Sequence, residues 1–251
     1  MKTIILIPIY NDRESLKKLI ENINLNISTV SSEVSVIVVN DASSQQITDN
    51  YPNTENINTI EVINMKENRG HARCIASGLK YIFEKKEFDF VIPMDGDGED
   101  RPEEIKNFIH QAKQSDDKTI VGERTKRSES LFFKICYQLH KLLTLGFTGH
   151  SINFGNFTCL SKSTIEKMLN EKATWNSFSG SLKKVEKDLL SIPSIRGTRY
   201  FGPSKMSLFN LGIHSFSIIA VFKYQVFLRS TFAIIALSFL NNFISSLCFR
   251  R

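Results

Sequence analysis

A doubly wound α/β sheet is the architecture this sequence predicts, and three observations predict it. Short apolar runs rich in Ile and Val recur through the first half of the chain, amphipathic segments with a helical period lie between them, and a polar, chemically distinctive stretch follows each run. Apolar runs that are continuous rather than alternating belong to strands buried on both faces, as in a parallel sheet covered by helices. Strand and helix in alternation complete the pattern.

The elements follow in order. Thr3 to Tyr10 is the first strand; the apolar run of "MKTIILIPIYND" is too short for a secretory signal and carries no small-residue cleavage site. "DRESLKKLIENIN" places Leu16, Leu19, Ile20 and Ile23 at i, i+3, i+4, i+7, which makes one apolar helix face. Val34 to Asn40 and Thr59 to Met65 are the second and third strands. "HARCIASGLKYIF" repeats the helical device with Ala72, Ile75, Ala76, Leu79 and Phe83, and Phe88 to Met94 is the fourth strand. Asp100 and Glu103 then fit a D-x-x-E capping box, with Pro102 in the first turn and Glu104 at the positive end of a helix carrying Ile105, Phe108, Ile109 and Ala112. Lys118 to Gly122 is the fifth strand.

Towards the C-terminus the character changes. Ser230 to Phe249 is a stretch of 20 residues without a charge, bounded by Arg229 and by Arg250 and Arg251. At about 1.5 Å per residue such a helix crosses a hydrocarbon core of about 30 Å. The preceding "LGIHSFSIIAVFKYQVFL" carries one formal charge, Lys223, and reads as an interfacial helix; a buried helical pair is the other arrangement the pattern allows. The expected division is a catalytic domain over 1–205 and a membrane-associated helical tail over 206–251.

Charge is unevenly spread. Up to Glu123 there are 14 basic and 21 acidic side chains, a balance of −7; beyond it there are 18 and 5, a balance of +13. The second half therefore suits an anionic neighbour: nucleic acid, a phospholipid surface or a phosphorylated small molecule. No recognised nucleic-acid-binding motif is present, which sets the first aside. Cys74, Cys136, Cys159 and Cys248 form no C-x-x-C pair, which argues against zinc and against a disulfide framework. Neither G-x-G-x-x-G nor a G-x-x-x-x-G-K-[ST] loop occurs, so nicotinamide and P-loop chemistry are disfavoured.

In a doubly wound sheet, ligands bind beyond the carboxyl ends of the strands. There "PIYND", "VNDASS", "NMKENRGHAR" and "MDGDGED" should meet on one rim. The last sets Asp95, Asp97, Glu99 and Asp100 within six residues. It is not a calcium loop, since Asp100 stands where Gly is needed and Lys106 where Glu is needed. Capping accounts for Asp100, Glu103 and Glu104 but leaves Asp95, Asp97 and Glu99. Alternate residues of an extended segment share a face, and a hard divalent cation relieves their repulsion.

These stretches carry a resemblance. "ILIPIYND", "VIVVNDASS", "NRGHARCIASGL", "PMDGDGEDRPEEI", "NFGNFTCLSK" and "RYFGPSKMS" stand in the order and spacing of glycosyltransferase family 2. Within that family the chain most resembles the dolichol-phosphate-mannose-synthase-like, or polyprenyl-phosphate glycosyltransferase, branch. The resemblance covers about residues 3 to 230. It implies a GT-A fold, a UDP- or GDP-linked sugar donor, Mg2+ or Mn2+ at a D-x-D motif, and inversion at the anomeric centre. It places Pro8, Tyr10, Asn11 and Asp12 in the first nucleotide-binding loop, Asp41 on the base or ribose, and Arg69 and Gly70 along the nucleotide pocket. Asp95 and Asp97 become the D-x-D pair, with Glu99 a third metal residue. Arg124, Arg127, Ser204 and Lys205 become phosphate-binding groups, Arg124 and Lys205 with a catalytic part.

The acceptor follows from an omission. Hydroxyl-transferring relatives commonly carry an E-D pair at a helix start after the "GNFTCLSK" strand, where this chain has "ATWNSFSGSLKK" with no carboxylate. A sugar hydroxyl usually needs a general base, whereas a phosphate monoester is already ionised near neutral pH. The expected acceptor is therefore a membrane lipid phosphate, with the protein at the cytoplasmic face of the inner membrane. The alternatives are a saccharide or lipid-linked sugar hydroxyl served by Glu171, Glu186 or Asp188, and a non-catalytic nucleotide-sugar binder.

Overall fold

The structure, a computed structural model, describes residues 1–48, 51–126, 131–202 and 208–248. The chain divides into two units. The first comprises residues 1–128 and 153–207; the second comprises 129–152 and 208–251. The helical unit thus takes in residues 129–152 as well as the C-terminal segment, which a single boundary at residue 205 does not anticipate.

The first unit is built on a seven-stranded sheet. Its strands are β1 (Lys2–Ile9), β2 (Glu33–Asn40), β3 (Ile60–Asn64), β4 (Phe90–Pro93), β5 (Ile120–Lys126), β6 (Phe154–Ser161) and β7 (Leu190–Ile195), in the order β3-β2-β1-β4-β6-β5-β7. β1 pairs in parallel with β2 and β4, β2 with β3, and β5 with β7. β6 is antiparallel to both β4 and β5. Of the seven strands, all but β6 therefore run the same way and deliver their carboxyl ends to one rim. β1 shows why continuous apolar runs were decisive: every residue from Thr3 to Ile9 is buried.

Helices α1 (Arg13–Ile27), α2 (His71–Lys85) and α3 (Ile105–Lys113) cover the sheet, and α5 (Lys162–Asn170) and α6 (Phe178–Val185) follow β6. α1 buries Leu16, Leu19, Ile20 and Ile23, the face its spacing predicts, and α3 buries Ile105, Phe108, Ile109 and Ala112. The capping box does not form. Asp100 accepts a hydrogen bond from the Asp95 N–H at 2.8 Å, and Glu104 accepts from Ser194 Oγ at 2.7 Å and from the Ile195 N–H at 2.8 Å. Glu103 pairs with Arg101. Partners supplied by β7 and by the acidic loop itself outcompete the local helix start.

The second unit holds α4 (Leu131–Thr148), α7 (Leu208–Val221) and α8 (Lys223–Cys248). α4 packs on both of the others, burying Thr144 and Thr148 while exposing Leu139, Leu142, Leu143 and Leu145. Arg229 Nε donates to the Gly146 carbonyl at 2.7 Å, a cation at a helix carboxyl end. From Lys223 to Ser246, α8 is long and apolar enough to cross a membrane, with a mean hydropathy of 1.4 and none of that window buried. It begins before the uncharged stretch, and Phe249, Arg250 and Arg251 lie outside the described residues.

Candidate active site

The rim beyond β1, β2 and β3 is knitted by short polar side chains. Asn11, in the left-handed region at φ 48°, follows β1; its Oδ1 accepts from the Ser44 N–H at 2.8 Å, and its own N–H donates to Ser43 Oγ at 2.9 Å. Asn40, at the end of β2, donates to Asn64 Oδ1 at 2.8 Å and accepts from the Ser43 N–H at 3.0 Å. Asp41 takes the Arg69 N–H on one oxygen, at 2.7 Å, and the Gly70 N–H on the other, at 2.8 Å. It thus fixes the turn that starts α2. A small cleft opens beside this network, lined by Pro8, Ile9, Tyr10, Asp41, His71 and Cys74. Pro8, Tyr10 and Asp41 are residues singled out from sequence as nucleotide-binding; Arg69 instead turns its side chain to Glu67.

The acidic loop stands next to it, at the end of β4. Asp95 Oδ1 lies 3.3 Å from His71 Nε2 and 3.4 Å from Asn156 Nδ2, so α2 and β6 both hold its carboxylate. Asp97 accepts from Arg199 Nη1 at 2.5 Å; Arg199 Nη2 reaches across to Asp12 Oδ2 at 2.7 Å. Glu99 pairs with Arg196. Arg196 and Arg199 belong to the segment after β7, whose backbone is laid on the acidic loop: the Gly197 N–H donates to the Glu99 carbonyl at 2.8 Å and the Tyr200 N–H to that of Asp97 at 3.0 Å. Gly98 has a φ of 88°, and a Cβ on it would meet the Tyr200 ring at 2.6 Å; only glycine permits both the turn and the close approach. Arg124 lies over Gly155, where an added Cβ would come within 2.8 Å of its Nη2.

Charge within this cluster follows from burial and from these pairings. Burial works to raise the pKa of Asp95, but the His71 ring, followed by Arg124 and Arg196, outweighs it and holds the carboxyl well below the usual range. Desolvation opposes a charged His71, and the Asp95 carboxylate overcomes it, raising the ring's pKa. Asp97 is pushed up to about 6 by burial and then by the charge of Asp95, with Arg199 pulling the other way. Asp100, buried and beside the same charge, is pushed up to about 8. The two aspartates of the D-x-D pair therefore differ, one firmly ionised and one readily protonated.

Sequence reasoning missed Arg196, Arg199 and Asn156 as site residues. One signal was available: an acidic cluster of this density needs cations, and "IRGTRY" supplies two of them. Arg127, Ser204 and Lys205 lie outside the described residues. The candidate bases are committed elsewhere. Glu186 pairs with Lys167 at 2.7 Å, Glu171 with Lys184 at 2.7 Å, and Asp188 with Lys118 at 2.8 Å. Lys118 precedes β5 and Asp188 precedes β7, which puts that pair at the edge of the sheet opposite the rim.

A mostly parallel sheet whose carboxyl-end rim presents an acidic pair at the central strand β4 is a GT-A arrangement. The chain belongs to glycosyl transferase family 2, whose model matches residues 4–182. Among curated relatives it is similar to the undecaprenyl-phosphate 4-deoxy-4-formamido-L-arabinose transferases of Yersinia pestis and Yersinia pseudotuberculosis. It is 28% identical to each over 222 residues, covering 84% of this chain and 64% of theirs. The chain thus spans a little under two thirds of the length of those relatives.

Among solved structures it resembles the glucosyl-3-phosphoglycerate synthase of Mycobacterium tuberculosis in complex with Mn2+, UDP and phosphoglyceric acid. The TM-score is 0.63 at 12% identity, over 90% of this chain and 78% of that one. A mannosyltransferase of Pyrobaculum calidifontis in complex with GDP-Man and Mn2+ gives 0.51 at 14% identity, over 94% and 75%. At these identities the two structures establish a shared fold.

Proposed function

We propose that the chain is an inverting glycosyltransferase that moves a sugar from a UDP- or GDP-linked donor to a polyprenyl phosphate in a membrane, for the building of surface glycans. The observation that carries the reading is the convergence of Asp12, Asp95 and Asp97 with Arg199 and Arg196 at the carboxyl ends of β1 and β4, beside the cleft lined by Pro8, Tyr10 and Asp41. The curated relatives, named for transfer to undecaprenyl phosphate, support the acceptor.

The donor set suits Mg2+ or Mn2+. Among the described residues no three carboxylates, imidazoles or thiols are gathered into a closed metal cage. These ions commonly take one or two carboxylates and complete their shell with water and substrate phosphates, and Asp97 already holds a cation in the form of Arg199. Asp95 and Asp97 are the residues that would hold the ion, while Glu99 is engaged by Arg196. When bound, the ion supplies Lewis-acid neutralisation of the departing diphosphate.

The chain's own groups do the rest. His71 and Asn156 fix the Asp95 carboxylate, Asp41 shapes the nucleotide turn, and Arg124 adds positive charge where the leaving group gathers negative charge. Arg127, Ser204 and Lys205 complete the phosphate contacts in this reading. Glu171, Glu186 and Asp188 are each held by a lysine, which favours an acceptor that needs no base. α8 anchors the chain in the membrane that holds the acceptor, with the catalytic unit on its cytoplasmic side. The proposed catalytic domain is 1–205 and the membrane-associated part 206–251, with α4 grouped with the helical unit.

The test incubates the protein with a panel of nucleotide sugars, undecaprenyl phosphate and Mn2+, and seeks a sugar-phospho-lipid by mass spectrometry. Transfer to a saccharide with no lipid product would overturn the acceptor assignment.

A further inference from the structure

We propose that Arg199 is the resident cation of the D-x-D site in the donor-free protein, so that the divalent ion enters together with the donor diphosphate, by exchange against this guanidinium. The inference rests on the reading of Asp95 and Asp97 as the ion's carboxylates, and it adds a residue and an order of binding that the reading does not contain.

Geometry carries it. Arg199 bridges two carboxylates from different loops, Asp97 on one side and Asp12 on the other, with side-chain exposures of only 13% for the arginine and 19% and 15% for the acids. A single cation between two poorly hydrated carboxylates does what a metal ion does there: it offsets repulsion that water cannot screen. Yet the arrangement is not the best one for the guanidinium. Its Nε is buried and has no hydrogen-bond partner among the described residues, and an unmet buried N–H is unfavourable. The ion pairs hold the side chain in a pose that leaves one of its donors unused, so a competing cation does not displace a fully satisfied group.

The backbone that carries Arg199 is fixed independently of that side chain. The Gly197 and Tyr200 N–H groups are bound to the acidic loop, and Asn22 Nδ2 donates to the Tyr200 hydroxyl at 2.8 Å. Rotation of the Arg199 side chain alone therefore vacates Asp97 while the segment stays docked. A bare divalent ion has to displace the guanidinium with only two carboxylates to gain. An ion arriving with a diphosphate brings further oxygen ligands of its own, and the exchange becomes favourable.

Mn2+ binding, followed by loss of the free-ion electron paramagnetic resonance signal, tests this without any turnover. The proteins are the 251-residue chain and its Arg199→Gln, Arg199→Lys and Arg196→Gln variants, each with Mn2+ alone and with added uridine or guanosine diphosphate. If the carboxylates are open in about a tenth of the molecules, Arg199→Gln binds Mn2+ alone about tenfold more tightly than the parent. Arg199→Lys, which keeps the charge but cannot bridge both acids, falls between, and decides the matter if the glutamine variant does not fold. Arg196→Gln removes the same charge from beside Glu99 and changes the affinity little. With nucleoside diphosphate present, the gap between parent and Arg199→Gln narrows.

An Arg199→Gln protein that binds Mn2+ alone no better than the parent, or an Arg196→Gln protein that gains as much, overturns the proposal while leaving the metal assignment standing. Absence of Mn2+ binding in every protein, even with nucleoside diphosphate, removes the metal assignment and this inference with it.

Discussion

Asp97 shows how one side chain joins stability to chemistry. Its carboxyl is pushed from an ordinary 3.8 up to about 6 by burial and by Asp95. Between those values the folded protein binds more protons than the unfolded chain, so this group's contribution to stability falls as pH rises from about 4 to about 6 and is level above. Asp97→Asn removes that penalty. In the absence of metal, the variant's melting temperature relative to the parent should therefore rise between pH 4.5 and pH 7.5, as differential scanning fluorimetry would show. Its metal-dependent turnover should fall by at least roughly 100-fold, since even residues behind a metal ligand commonly matter by 10- to 100-fold. Undiminished turnover would refute the ligand assignment. Asp95 and Asp97 were legible in the sequence because four acids in six residues demand an explanation within the stretch itself. Arg199 was not, because its partner Asp97 is 102 positions away and only the folded chain brings them together.

At the scale of elements, the segment after β7 is the piece that completes the site. Its docking depends on Gly98, whose φ of 88° and closeness to the Tyr200 ring leave no room for a Cβ. Gly98→Ala should destabilise the protein by about 1–3 kcal/mol in urea unfolding, through backbone strain and displacement of that ring. A variant as stable as the parent would show that the docking is not tight. The parallel strands and the faces of α1 and α3 were readable because burial on a periodic backbone imposes a local pattern. The direction of β6 was not, since its residues would look the same pointing either way; its pairing with β4 and β5 shows it. The capping box failed for a related reason. Its acids had the right local spacing but found stronger partners in Ser194, Ile195 and the Asp95 N–H.

For the whole molecule, the uneven charge and the exposed apolar length of α8 bear on where the protein works. Ile234 and Leu237 lie near the middle of that helix and are 68% and 65% exposed, so changing them disturbs no packed core. An aspartate at the centre of a membrane helix costs about 2.5–3.5 kcal/mol. The Ile234→Asp, Leu237→Asp double variant should therefore move from the carbonate-resistant membrane fraction into the soluble one, whereas the parent stays. Equal retention of both proteins would rule out a spanning role for α8. Taken by itself, the sequence determined that a parallel α/β sheet would form, that an acidic pair would stand at the end of β4, and that an apolar helix would lie near the C-terminus. Each of these is written in neighbouring residues, where periodicity and charge density act locally. Only the tertiary structure decided which cations those acids hold, which lysines engage Glu171, Glu186 and Asp188, and that α4 belongs with the helical unit. Those outcomes depend on contacts between distant parts of the chain, which local pattern does not encode.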